Sequence, residues 1–151
     1  MQTNSFVHRL TKVLIESMFF GGILCCAALP FFLPWLTKLL GHSRRDVILY
    51  FTVMLELAGL CALYILYQLK AMFKTLLDGN PFVSANVACL RKCGAASFLI
   101  ALLFLADSLV GFTIASILFV IIFALLGLFS LTLKDVFKQA VVYKEENDFT
   151  V

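Results

Sequence analysis

Apolar residues in this chain neither alternate nor recur as a single helical stripe. They run on, in four stretches broken by short polar segments. The stretches are Val13 to Leu29, Val47 to Leu69, Ala95 to Val110 and Phe112 to Leu133. A hydrocarbon core ~30 Å thick asks for about 20 apolar residues in a helix rising ~1.5 Å per residue. Each stretch therefore predicts a membrane-spanning helix. The first ends at Pro30, with Pro34 soon after, in Pro30-Phe31-Phe32-Leu33-Pro34-Trp35. The last two are separated only by the neighbourhood of Asp107, Ser108 and Gly111, which reads as a tight hairpin with Asp107 and Ser108 in the turn. One unbroken helix from Ala95 to Leu133 would be about 58 Å long, far too long for the core. Arg9 and Lys12 ahead of the first run imitate a signal peptide. No small-x-small cleavage site leads into a polar region, however, so a retained helix is expected. The fold class that follows is all-α: a four-helix transmembrane bundle forming one integral membrane domain over residues 1–151.

Composition agrees. The chain is 62% hydrophobic and 14% charged over 151 residues, with a mean hydropathy of +1.02. Soluble domains are about 45–50% apolar and about 25% charged. A disordered chain, a disulfide-rich secreted scaffold and an ordinary cytosolic enzyme are all excluded. The net charge of +3 is too small for a nucleic-acid binder, and no direct nucleic-acid contact is expected.

The placement of the charges orients the helices. An even number of spans puts both termini on one side. Nine of the twelve Lys and Arg residues fall there: Arg9, Lys12, Lys70, Lys74, Arg91, Lys92, Lys134, Lys138 and Lys144. Lys38, Arg44 and Arg45 fall on the other side. Positive loops stay inside, so both termini are expected in the cytoplasm. Trp35, Tyr50, Tyr64 and Tyr67 lie near span ends, where amphipathic rings anchor at headgroup level.

The second helix is expected to continue past the membrane. Leu69, Met72, Phe73, Leu76 and Leu77 keep one helical face. Asp78-Gly79-Asn80-Pro81 then stops it. Pro81 is expected to open a new helix with Asn80 as its N-cap. Residues 78–93 thus read as an amphipathic cytoplasmic loop, with a short helix from Phe82 to Lys92 leading into the third span. Helix four is expected to extend into a cytoplasmic tail over residues 134–151. The tail is mixed, with Val136, Phe137, Ala140, Val141 and Tyr143 among Lys138, Lys144, Glu145, Glu146, Asn147 and Asp148. Such a stretch packs on its own protein or offers a helix face to a partner.

Two segments carry a family resemblance. Leu77-Asp78-Gly79-Asn80-Pro81-Phe82, with Asn86 and Leu90-Arg91 following, resembles the central signature of the domain of unknown function 2975 family. Val136-Phe137-Lys138-Gln139-Ala140 and Lys144 to Val151 resemble its C-terminal signature. The resemblance implies a small bacterial inner-membrane protein with four spans. It offers no catalytic residues to carry over. Genes of such proteins often stand beside a small helix-turn-helix regulator, so the resemblance also implies a membrane partner for a transcription factor.

Within the spans, Glu56 stands out. It sits about nine residues into helix two, near the bilayer midplane, with no Lys, Arg or His in any span core to meet it. A lone acid there is a costly group. It reads either as a proton- or cation-responsive site, or as a neutral acid hydrogen-bonded to a neighbour such as Ser97, Thr113 or Ser116. Glu16 reads as an acid in the first turn of helix one, favoured by the macrodipole and by nearby Arg9 and Lys12. Asp107 completes the candidate intramembrane polar set. Cys25, Cys26, Cys61, Cys89 and Cys93 read as small packing residues, since two Cys one helical turn apart lack further ligands for zinc. No metal or cofactor is expected. Gly21-Gly22, Gly59 and Ala95-Ala96-Ser97 read as close-approach points between helices.

No nucleophile set, phosphate-cradling loop or metalloprotease motif is present, and no enzyme activity is expected. The leading expectation is a regulatory or scaffolding membrane protein that binds a cytoplasmic partner. The candidate face is Asp78, Gly79, Pro81, Phe82, Arg91, Lys92, Lys138, Lys144, Glu145, Glu146, Asn147 and Asp148. A small transporter using Glu56 and a self-immunity protein are the alternatives. Homo-oligomerisation stays open beside the lipid bilayer itself.

Overall fold

A computed structural model describes residues 5–39, 45–110 and 113–148, with the side chains of residues 5–9, Thr37, Arg45 and Asp148 left aside. Four helices follow in chain order: α1 (Ser5–Leu39), α2 (Arg45–Leu77), α3 (Ser84–Val110) and α4 (Ile114–Asp148). Among the described residues there is no strand. All four helices are long and apolar enough to cross a membrane. The hairpin around Gly111 lies outside the described residues, as do residues 149–151 of the tail.

Each helix outruns the apolar stretch that predicted it. The tail is helical to Asp148, and α2 reaches Leu77 before a Schellman-type stop. There Gly79 takes φ +75°, the Asn80 N–H donates to Thr75 O at 3.0 Å, and the Gly79 N–H donates to Leu76 O at 3.1 Å.

Three boundary expectations are corrected. The first helix does not end at Pro30. It continues through Pro30 and Pro34 to Leu39. Each proline removes one donor, so Cys26 and Pro30 lose their i→i−4 partners. Unwinding among Phe31, Phe32, Leu33, Trp35 and Leu36 would release many more backbone groups into an apolar setting, which is worse. Nor does α3 start at Pro81. Residues 80–83 are non-helical and the helix begins at Ser84, so Asn80 is no N-cap. Phe82–Lys92 and the third span are therefore not two elements: from Ser84 onward they form one helix. Third, Asp107 and Ser108 belong to α3 and not to a turn.

The helices pack in chain order: α1 on α2, α2 on α3, α3 on α4. Among the described residues, α1 approaches neither α3 nor α4, so the bundle is an open row of four. Its most extensive seam is α3 against α4. A Cβ added at Gly94 would lie 3.2 Å from Leu131 and 3.3 Å from the carbonyl of Gly127. One added at Gly127 would lie 3.0 Å from the Phe98 ring. Small residues let the two backbones approach, as packing between apolar helices favours. Toward α2 the core is Met54 and Ala58 against Ile100 and Phe104. Phe104 also stacks on Phe119 of α4, with ring centroids 4.8 Å apart. The α1–α2 seam uses Gly22 against Leu63 and Gly59 against Cys26. Gly21, by contrast, faces open space, and Ala95 is exposed.

These environments predict opposite outcomes for two substitutions. Gly94→Val crowds the Leu131 side chain and the Gly127 carbonyl and should destabilise by about 1–3 kcal/mol. Gly21→Ala meets nothing and removes a flexible residue from a helix interior, for a gain of about 0.5–1 kcal/mol. Thermal unfolding of the purified protein in detergent reads both.

Candidate functional site

Chemistry-bearing residues collect at two places: the end of the molecule where α2 turns into α3, and a few polar groups inside the apolar helices.

At the turn, Asn86 is 2% exposed. Its amide nitrogen donates to Thr75 Oγ1 at 2.7 Å and to the carbonyl of Pro81 at 2.6 Å. Its side-chain oxygen accepts from the Thr75 hydroxyl at 3.0 Å, and that hydroxyl also lies 2.7 Å from the carbonyl of Met72. One side chain thus joins the last turn of α2, the linker and the first turn of α3. With the linker fixed, its residues meet α4. Asn80 accepts a hydrogen bond from the ammonium of Lys144. The Phe82 ring rests on Phe137, centroids 5.5 Å apart. Asn80 is drawn to the tail instead of capping α3.

The tail has two sides. Phe137, Ala140 and Val141 are half-buried toward the turn, and Lys144 continues their stripe at helical spacing. Val136, Gln139, Val142, Tyr143 and Glu146 occupy the opposite side, where Tyr143 is 70% exposed and Val136 55%.

The remaining expected face residues are not one patch. Asp78, Lys138, Glu145 and Asn147 are exposed, and Pro81 is half-buried. Arg91 and Lys138 share a groove of about 300 Å³ between α3 and α4, with Lys134 and Asp135 beside them. Lys134 pairs with Asp135 at 3.0 Å. Lys92 instead lines a cavity with Leu60, Tyr64 and Leu99 on the α2 side. Adjacent positions on a helix point about 100° apart, so Arg91 and Lys92 serve different faces. The side chain of Asp148 lies outside the described residues.

Inside the helices the three acids have three fates. Asp107 is 3% exposed and accepts a 2.5 Å hydrogen bond from the Ser116 hydroxyl, tying α3 to α4. Glu16 lies eleven residues into α1, not in its first turn, because the helix begins at Ser5. The macrodipole fades within a turn, so its partner is instead Lys70 of α2, 3.9 Å away. Glu56 is half-buried, with one carboxylate oxygen, Oε2, enclosed and without a hydrogen-bond partner. Two of the neighbours suggested for it are engaged elsewhere: Ser97 donates to Cys93 O, and Ser116 to Asp107. Among the described residues, no three His, Cys, Asp or Glu side chains gather as a metal site.

Asn86 and Thr75 are the residues that motif reasoning left without a role. An Asn five residues after the Asn80-Pro81 pair, on the apolar side of a helix start, is the available signal. Asn86→Ala should lower stability by about 1–3 kcal/mol, because buried polar partners lose their mate. Thermal melts should show this, together with faster proteolysis near residues 78–83.

A family model described as a protein of unknown function (DUF2975) matches residues 18–151. No curated protein and no solved structure matches the chain. The family match takes in α2, α3, α4, the bonded turn and the tail that meets it, and the chain belongs to the DUF2975 family.

Proposed function

We propose that the chain is a multi-pass protein of a bacterial inner membrane, with both termini cytoplasmic, that docks a cytoplasmic protein through its tail and turn. The tail geometry carries this reading. One side of the last turns of α4 is held against the turn, and the other presents Val136, Val142 and Tyr143 among charges. Exposed apolar anchors on one face of a helix are what a partner's groove recognises. A small helix-turn-helix regulator is the partner class we favour, and the role is docking, not catalysis. Orientation is supported by the nine-to-three distribution of Lys and Arg. A fluorescent protein fused at the C-terminus should therefore fluoresce, and a periplasm-dependent phosphatase inserted at residues 41–43 should be active.

The docking claim is read by pull-down in mild detergent with a purified small helix-turn-helix regulator as bait. Tyr143→Ala combined with Val136→Ala should weaken capture about tenfold or more, as loss of an exposed aromatic anchor does. Unchanged capture after deleting residues 138–151 would refute it.

A second reading is favoured by the unpartnered oxygen of Glu56: a small transporter or ion-responsive protein whose α1–α2 seam holds a proton- or cation-binding carboxylate. Glu56→Gln keeps the shape and removes the charge. Proton or cation flux into proteoliposomes should fall to background in that variant. Equal flux in both forms counts against the reading.

A further inference from the structure

We infer that a cavity between α1 and the end of α2 binds the phosphate headgroup of an anionic phospholipid. The cavity measures about 550 Å³. Lys12 from α1 and Lys70 and Lys74 from α2 line it, and Ile15, Ala71 and Phe73 give it an apolar wall. Two carboxylates, Glu16 and Asp78, also line it. Glu16 is the nearer to a lysine, 3.9 Å from Lys70, whose ammonium stands 5.6 Å over the Phe19 ring. Lys70 is thus already engaged. Two of the lysines that line the cavity, Lys12 and Lys74, come from two helices and, among the described residues, have no carboxylate at ion-pair distance.

Depth selects the anion. Lys12 directly precedes the apolar run from Val13, and Lys70 directly follows the run that ends at Leu69. In a bilayer both stand at headgroup level, and basic pockets between spans at that level take lipid phosphates. The apolar wall gives the glycerol and upper acyl chain a surface that inorganic phosphate does not use. The inference rests on the bilayer placement proposed above and is independent of the docking role and of orientation.

The test is native mass spectrometry of the full chain in detergent, titrated with phosphatidylglycerol or phosphatidylcholine. The wild-type protein should retain phosphatidylglycerol about tenfold better than phosphatidylcholine. K12Q/K74Q should abolish that preference. K134Q/K138Q, with the same loss of charge elsewhere, should keep it. E16Q removes a competing anion and should raise retention, a gain that a merely structural role for these residues does not produce. Should K12Q/K74Q fail to fold, by circular dichroism and melting, E16Q decides alone: a gain supports the site and no gain overturns it. Equal losses in the two lysine pairs overturn it as generic charge attraction. Displacement of bound lipid by millimolar inorganic phosphate overturns the lipid assignment in favour of a soluble anion.

Discussion

The carboxamide of Asn86 sets the geometry of the end at which α2 hands over to α3. It is buried and reaches Thr75 behind it and the Pro81 carbonyl ahead of it. The Pro81 carbonyl lies outside the helical ladder, and the Asn86 side chain donates to it. With the linker pinned, Asn80 and Phe82 are presented outward together, to Lys144 and Phe137. The tail lies along the turn because of bonds made on the far side of the turn. A buried side chain bonded to both of its flanking segments rigidifies a turn in this way.

Elsewhere van der Waals fit holds the row of helices together. Between apolar helices in lipid there is little hydrophobic gain left to make, and close approach matters more. Gly94 and Gly127 give α3 and α4 that approach, while Gly22 and Gly59 do the same less extensively for α1 and α2. The polar residues in these helices follow the same economy of contacts. Asp107 finds Ser116 across the α3–α4 seam. Glu56 lies at the less extensive α1–α2 seam, near the Cys26 that packs against Gly59, and one of its oxygens is left over.

The four helices were legible because length and apolarity alone announce them. The family was legible because Leu77 to Phe82 and the tail keep two separated patterns. Helix ends were not. Pro30 and Pro34 carry a strong local stop signal, yet the surroundings penalise unwinding more than they penalise two missing donors. Asn80 has the right side chain for a cap, but Lys144, distant in sequence, takes it. Asp107 looked like a turn residue only because its partner Ser116 sits nine positions on, across a reversal. In each case something outside the local window, a surrounding or a distant residue, bears on the outcome. The same holds for Gly94 and Gly127, whose pairing needs the register of two helices and shows in neither alone.

The prolines of α1 have one more consequence, and it is mechanical. Pro30 and Pro34 are four residues apart, so their missing donors lie about 40° apart round the helix axis. Both gaps weaken nearly the same side. Beyond Cys26, α1 is then more compliant in one bending plane than in the other, and Phe32 and Trp35, whose rings lie 5.9 Å apart, ride on the part that flexes. Since among the described residues α1 touches α2 and no other helix, such a deflection strains a single seam and leaves the α3–α4 pair undisturbed.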